Sequence, residues 1–192
     1  IVKDGVVQLS GLNFNLLAGA FAVNGAYDPR DLTKAKYDFN LKIDHLSANK
    51  AFETLKVVQT YFPMAKNIDG NMSTDLKLNG LLDQSMVPDM NTISGTGSLN
   101  IGNATLKNSN ALQGIGTFMG NKLLSREQVT IKDILMTFTI KNGLVTVKPF
   151  DLNLGGYKST LSGTSSLSGG LDFDIKMNVP AGQLGSQVNS LV

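Results

Sequence analysis

Apolar and polar residues alternate along most of this chain, and the alternation is cleanest from Val129 to Val179. Successive side chains of an extended strand point to opposite faces, so this pattern predicts antiparallel strands with one apolar and one wet face. In the run Leu171 to Val179, Leu171, Phe173, Ile175, Met177 and Val179 share one face, and Asp172, Asp174, Lys176 and Asn178 share the other. Burying five such apolar side chains would supply a gross driving force of about 7 to 15 kcal/mol. A slip of one residue would forfeit it, which fixes the register.

Asn142-Gly143 lies between two such runs. Asn-Gly favours a two-residue hairpin turn because both central positions need positive φ. That turn sets Lys141 opposite Leu144, Ile140 opposite Val145 and Phe138 opposite Val147, so turn chemistry and alternation agree on one hairpin. Val145 and Val147 are odd, whereas Phe150, Leu152 and Leu154 are even; Pro149 stands at the change and predicts a bulge or bend.

From the start of the chain, Val7 and Leu9, then Leu12, Phe14 and Leu16, then Phe21, Val23 and Tyr27 form period-two runs. Gly11 separates the first two, and a hairpin is expected near Ala18 and Gly19. Asp28-Pro29-Arg30-Asp31 reads as a turn, followed by a strand through Tyr37, Phe39, Leu41 and Ile43. The period then changes to 3.6: Phe52, Leu55, Val58 and Phe62 predict a helix of about three turns with Asn49 as N-cap and Pro63 at its end. Strand pattern returns over Ile68 to Leu82. Ser85 to Asn91 reads as a connector, and a strand through Leu99 and Ile101 is expected to end in a turn at Asn103. Asn108 to Met119 suggests a second helix weakened by Gly114 and Gly116, and Leu184, Val188 and Leu191 suggest a third after Pro180. A short unit, Leu-x-Gly at the end of a strand, recurs at Leu78-Asn79-Gly80 and Leu161-Ser162-Gly163.

Strand runs broken by occasional helices predict an α+β fold, mainly β: a strongly curved antiparallel sheet, groove-like or partly closed, with two or three short helices. Inward strand residues outnumber the helix residues available to cover them, so an apolar groove is expected at one end of the sheet. A length of 192 residues suits one domain, residues 1–192, with possible halves 1–91 and 92–192. The chain begins at Ile1 rather than Met. It therefore reads as a piece excised from a longer protein, with any export signal or anchor outside it.

Composition narrows the function classes. With 42% hydrophobic and 17% charged residues the chain is globular in character. Its basic residues are scattered singly, without the clustered footprint that nucleic-acid binding requires. It has no cysteine, which removes disulfides, thiolate metal sites and thiol catalysis. The single histidine, His45, lacks the partners that catalysis or metal binding would need and reads as a surface or edge residue. Asp172 and Asp174 are paired in sequence but face the wet side of one strand, as solvated charges rather than a catalytic dyad. Gly95-Thr96-Gly97 and Gly114-Ile115-Gly116 complete no phosphate-binding fingerprint. No catalytic residue, metal or cofactor is expected.

The stretch Ile93 to Val179 resembles the C-terminal region of the AsmA-like family, envelope proteins of diderm bacteria. The resemblance rests on Ile93-Ser94-Gly95-Thr96-Gly97-Ser98-Leu99-Asn100-Ile101, the helical Leu112 to Leu124, and Phe138-Thr139-Ile140-Lys141-Asn142-Gly143-Leu144-Val145. It also rests on Tyr157-Lys158-Ser159-Thr160-Leu161-Ser162-Gly163 and Leu171-Asp172-Phe173-Asp174-Ile175, and Leu12 to Leu16 with Val23 to Pro29 look like strand repeats further upstream in such proteins. The resemblance implies a non-enzymatic periplasmic domain, tethered to the inner membrane through a segment not present here and serving outer-membrane assembly. It also implies that phospholipid or another acyl-chain lipid is carried in a β-lined groove.

On that expectation the groove is lined by Phe138, Ile140, Val145, Val147, Phe173, Ile175 and Met177. Envelope proteins and the rest of the same chain are the other expected partners. The alternative is a structural interaction domain of the envelope with no bound ligand, pairing through an edge strand. A carbohydrate-binding domain is a weaker third reading, because the chain has no Trp and only four Tyr for sugar stacking.

Overall fold

The structure, a computed structural model, describes residues 1–118, 122, 124, 126–167 and 169–180. Ten strands form one antiparallel sheet in which every strand pairs with its neighbours in sequence, and the sheet curls without closing. The strands are β1 (Val2–Lys3), β2 (Val6–Leu16), β3 (Gly19–Asp28), β4 (Ala35–Ser47), β5 (Ile68–Leu82), β6 (Ser94–Lys107), β7 (Gln128–Lys141), β8 (Leu144–Leu154), β9 (Tyr157–Ser166) and β10 (Leu171–Met177). Helices α1 (Ala48–Thr54) and α2 (Lys56–Tyr61) lie between β4 and β5, and α3 (Asn110–Phe118) between β6 and β7. The mainly β, curved-sheet expectation is met. The expected third helix falls on residues 181–192, outside the described residues.

The predicted hairpin forms as read, with Lys141 opposite Leu144, Ile140 opposite Val145 and Phe138 opposite Val147. Asn142 and Gly143 have φ of 51° and 75°. Gly143 is doubly required, since its amide donates to the Ile93 carbonyl and a Cβ there would run into the Met90 carbonyl oxygen. The β2–β3 turn has the same two positive φ values, at Leu17 (52°) and Ala18 (66°), without a glycine at either position. Leu17 packs against the main core, which accounts for a bulky residue in a conformation that disfavours one.

Bulges keep the apolar residues on one face. The register shifts at Pro149, between Val147 and Phe150, as expected. It also shifts between Leu9 and Leu12, where Gly11 has φ of 65°, and between Ile43 and Leu46, where His45 has φ of 57°. The two long strands expected on either side of the Ala18–Gly19 hairpin form as β2 and β3, and Gly11 bends the first of them. Asn103 likewise lies inside β6 rather than in a turn: Ile101 and Ala104 both stay buried, opposite Ile134 and Ile131 across a step where Asp133 has φ of 52°. At each site the apolar spacing widens from two residues to three; the extra residue of β6 is absorbed by a register shift against β5 at Gly70 and Met72, while β6 and β7 widen together and keep their register.

The helical segment departs from the expected single helix. Ser47, not Asn49, occupies the N-cap position, and Leu55 is extended, dividing the segment into α1 and α2. The Asn49 side chain instead accepts from the Ser47 hydroxyl and the Lys50 amide. Pro63 opens a short 3₁₀ turn, Pro63–Asn67, rather than ending the segment. Phe52, Leu55, Val58 and Phe62 nevertheless all pack against one core, so burial rather than helix continuity governs the backbone here.

That core joins Phe21, Ile43, Leu46, Ile68, Met72, Ile101, Ala104, Ile131 and Ile134 of the sheet to Ala48, Ala51 and Ala65 above them. A smaller cluster of Leu112, Leu124, Val129 and Leu154 lies beside it. The expected burial of β10 is not realised. β10 is the last strand of the sheet, and Leu171, Phe173 and Ile175 are 71%, 39% and 38% exposed. Only Met177 of this strand packs against a core cluster.

The Leu-x-Gly unit acquires a packing reason. Its glycine shares the apolar face with the leucine and lies beneath an aromatic ring of the next strand: Gly80 under Tyr37, and Gly163 under Phe173. Gly25 under Phe39 and Gly97 under Phe138 repeat the arrangement. A Cβ at Gly25 would strike the Phe39 ring and the Asp38 carbonyl oxygen, and it would come within 2.9 Å of the Phe39 Cα, none of which can move without disturbing the β3–β4 ladder.

Two stability predictions follow from this geometry. Gly25→Ala should lower the unfolding free energy by about 2 to 3 kcal/mol through overpacking. Ala18→Gly should raise it by about 1 kcal/mol by relieving the left-handed turn. Urea denaturation of the two variants beside the parent chain measures both.

Candidate functional site

The apolar face of the sheet divides into a covered and an uncovered part. Where α1 and the 3₁₀ turn lie over it, Leu46, Met72, Ile101 and Ile134 form a cross-strand row that is buried throughout. Two rows nearer the Asn142-Gly143 end have no helix over them among the described residues. One runs Leu12, Val23, Leu41, Leu76, Gly97, Phe138, Val147, Gly163 and Phe173, each residue opposite the next from β2 to β10. The other runs Leu9, Gly25, Phe39, Leu78, Gly95, Ile140, Val145, Ser165 and Leu171. At about 4.8 Å per strand, each row is a continuous apolar track of roughly 38 Å.

Most of these side chains are half-buried. Val23, Phe39, Leu41, Leu76, Leu78, Phe138 and Val145 are intermediate, and of these only Leu41 packs against the helix-covered core. The seven residues expected to line a groove all lie on this face. Phe138, Val147 and Phe173 share the first row, and Ile140 and Val145 the second; Ile175 and Met177 stand opposite Leu161 and Ser159 in the adjoining rows. Ile140 and Val147 are buried, Phe138, Val145 and Met177 are half-buried, and Phe173 and Ile175 are exposed. Sequence reasoning missed the half of the trough contributed by Leu12, Val23, Phe39, Leu41, Leu76 and Leu78. Their alternation carried the same signal as that of the C-terminal strands.

The trough holds little polar chemistry. Thr74 faces inward opposite Ile43, but its hydroxyl is used in donating to the Ser98 carbonyl at 2.7 Å. Ser159, the buried polar residue of the sheet, donates to the Tyr157 carbonyl. Among the described residues no buried side-chain nitrogen or oxygen lacks a partner, and no group of acidic, histidine or cysteine side chains is placed to hold a metal ion. Two shallow hollows, of about 320 Å³ beside Phe14 and Phe21 and about 500 Å³ over Lys36, Asp38 and Asn79, lie away from the middle of the trough. No helix among the described residues is long and apolar enough to cross a membrane.

The opposite face is mostly polar, with Leu135, exposed on β7, and Ala20, Ala22 and Ala26 on β3 among the exceptions. Across it Asn24, Asn40, Lys77, Thr96, Thr139, Thr146, Thr164 and Asp172 form one row. Gly95-Thr96-Gly97 lies within β6, near its start, with its glycines beneath neighbouring chains rather than in a loop that could cradle a phosphate.

His45 stands next to a carboxylate and a hydroxyl, and the geometry shows why this is not a catalytic triad. Ser73 Oγ donates to Asp44 Oδ1 at 2.8 Å and accepts from the His45 amide at 3.1 Å, while His45 Nδ1 is 2.9 Å from the same Asp44 oxygen. A nucleophilic serine must donate to the imidazole, whereas here the hydroxyl is committed to the carboxylate. Ser73 instead satisfies the amide that the β4 bulge frees, as Asn24 Oδ1 does for the Gly11 amide in β2 at 2.7 Å. Hydrogen bonds from Ser73, then from His45, hold the Asp44 carboxyl below its ordinary range. In the β3–β4 turn, the side-chain bonds from Arg30 to Asp28 depress that carboxyl further, to about 2.

No family model, curated protein or solved structure matches the chain.

His45→Ala should change stability by no more than about 0.5 kcal/mol, because the imidazole is 73% exposed and alanine keeps the same backbone demands. His45→Val should cost about 1 to 2 kcal/mol, since a β-branched residue resists positive φ. Chemical denaturation of both variants tests the bulge reading. The Asp28 carboxyl, titrated by NMR, should have its midpoint near pH 2. Because its folded pKa is depressed, its contribution to stability is present above the ordinary carboxylate range and is lost as pH falls toward 2. Arg30→Ala should raise the midpoint toward the ordinary range by removing the side-chain bonds, the residue-30 amide still donating to Asp28.

Proposed function

We propose that this chain is a non-enzymatic lipid-handling module, binding the acyl chains of phospholipid or a similar lipid along the uncovered rows of its apolar face. The observation that carries the reading is the continuous, half-open track from Leu12 on β2 to Phe173 on β10, over which no helix lies among the described residues. A contiguous apolar surface of this kind is costly to leave in water and normally marks a ligand or partner site. A lipid chain suits it because the lining offers dispersion contacts along its length and almost no polar group to orient a head group, which would remain in solvent.

The reading places the chain within an AsmA-like envelope protein, in the periplasm, tethered to the inner membrane by a segment outside the chain and contributing to outer-membrane assembly. Catalysis is no part of it: the one histidine, serine and aspartate that meet do so with the serine turned away from the imidazole. The second reading, an interaction domain without ligand, is favoured by one specific feature, the uncovered edge of β10.

Paired aspartate substitutions on the same face test the lipid reading. Val145 is half-buried on the uncovered part, so Val145→Asp leaves its charge hydrated; the variant should keep its fold and lose at least about tenfold in bound lipid. Ile101 lies beneath the helices at 5% exposure, so Ile101→Asp should unfold the chain. Native mass spectrometry of protein purified from membranes reads bound phospholipid, and thermal melting reads the fold. Lipid retained by Val145→Asp, or no lipid on the parent chain, would overturn the proposal.

A further inference from the structure

We infer that β10 is a self-complementary edge, through which two copies of this chain join antiparallel about a twofold axis at Ile175, making one sheet with one continuous apolar face. The two edges of the sheet differ. On the first, β1 pairs with β2 over Val6 and Val7, the amino terminus donates to the Gln8 carbonyl, and the Gly11 bulge bends what is left. Such features block strand addition. The β10 edge has neither a proline nor a bulge over Leu171–Met177, and its register with β9 is unbroken.

The hydrogen-bonding parity of that edge is determined. The Asn178 amide donates to the Lys158 carbonyl and the Gly170 carbonyl accepts from the Ser166 amide, so even-numbered residues of β10 point their backbone groups at β9. The odd-numbered residues Leu171, Phe173, Ile175 and Met177 point theirs outward. A twofold axis at Ile175 then pairs Ile175 with its own copy and Phe173 with Met177 of the second copy, all through outward-facing backbone groups. On the polar face it sets Asp174 against Lys176 twice, once on each side of the axis. Centring on Asp174 or Lys176 opposes like charges, centring on Phe173 opposes Asp172 to Asp174, and centring on Met177 sets Lys176 against Asn178 and Asp174 against Pro180, which forms no ion pair. Neither Asp174 nor Lys176 has an ion-pair partner among the described residues.

The same pairing covers apolar side chains that the isolated sheet leaves in water, Leu171, Phe173 and Ile175 at 71%, 39% and 38% exposure. Because opposed residues in an antiparallel pair share a face, the apolar faces of the two copies run on into each other, with Phe173 of one track meeting Met177 of the second copy. This goes beyond the lipid reading and is tested apart from it, since it concerns assembly alone.

Sedimentation velocity over a wide concentration range should show a monomer–dimer equilibrium for the parent chain. Asp174→Lys should weaken the dimer at least about tenfold by opposing Lys176 of the second copy, and adding Lys176→Asp should restore it to within about threefold. Both positions are exposed on the polar face, and circular dichroism checks that each variant is folded. Should Asp174→Lys prove unfolded, Lys176→Asp alone supplies the same repulsion.

The chain has no cysteine of its own, so Ile175→Cys offers a clean geometric probe. Its two copies would lie about 5.5 Å apart between Cα atoms, within disulfide reach, and should oxidise to a covalent dimer. Leu171→Cys would lie about 27 Å from its copy and should not. A monomer at all concentrations, a dimer indifferent to the charge reversal, equal cross-linking at both positions, or a ladder of larger species from head-to-tail joining would each overturn the inference.

Discussion

A sheet that bends must still send every apolar side chain to the same face, and this requirement shapes the molecule more than any single contact. Strict alternation would carry a side chain to the wrong face wherever a strand bends through an inserted residue. The chain answers by widening the apolar spacing at the same points: Leu9 to Leu12, Ile43 to Leu46, Ile101 to Ala104, Ile131 to Ile134 and Val147 to Phe150. The amides freed at two of these bends are taken up by side chains of the next strand, Asn24 and Ser73, so the bends are fixed. Glycines complete the arrangement, letting Tyr37, Phe39, Phe138 and Phe173 lie across a neighbouring strand instead of standing off it.

Coverage of the resulting face is uneven because the helices are few and small-faced. Ala48, Ala51 and Ala65 are fully buried, which lets the helical segment sit close to Leu46, Met72 and Ile134, but a short segment at one end shields only that end. Toward the Asn142-Gly143 hairpin the same face continues with leucine, phenylalanine and valine, and no helix among the described residues lies above them. The strands are therefore amphipathic along their whole length while the shielding is local.

Much of this was legible in the residues. Alternation located the long strands, Asn142-Gly143 fixed one register to the residue, and Pro149 marked a bulge because a residue without an amide hydrogen disrupts a ladder visibly. Other bends were unmarked. His45 and Asp133 adopt positive φ with no glycine to announce it; the hairpin expected near Ala18 and Gly19 does form, but its two positive φ values fall on Leu17 and Ala18 rather than on a glycine. The split at Leu55 was hidden because a helical stripe survives a break when both pieces bury the same side chains. The position of β10 at the edge could not be read at all. A half-buried central strand and an uncovered edge strand have the same alternation, and the difference lies in whether a neighbour exists, which is a property of the whole sheet. The residues proposed for the groove came from the strands with the cleanest pattern, although pairing distributes one row over nine strands.

The unbroken strand order, β1 to β10, also has a bearing on how the chain reaches this state. Each strand pairs only with those made just before and just after it, so loop closure remains cheap at every step and no early segment waits for a distant late one. The sheet can grow from its first hairpin as the chain is released, each strand adding to the last one formed, much as stacked repeats propagate. Growth of this kind has no built-in stopping point. Insertion or loss of a whole hairpin would lengthen or shorten the sheet without reordering anything, so trough length is a quantity that evolution can adjust in steps of two strands.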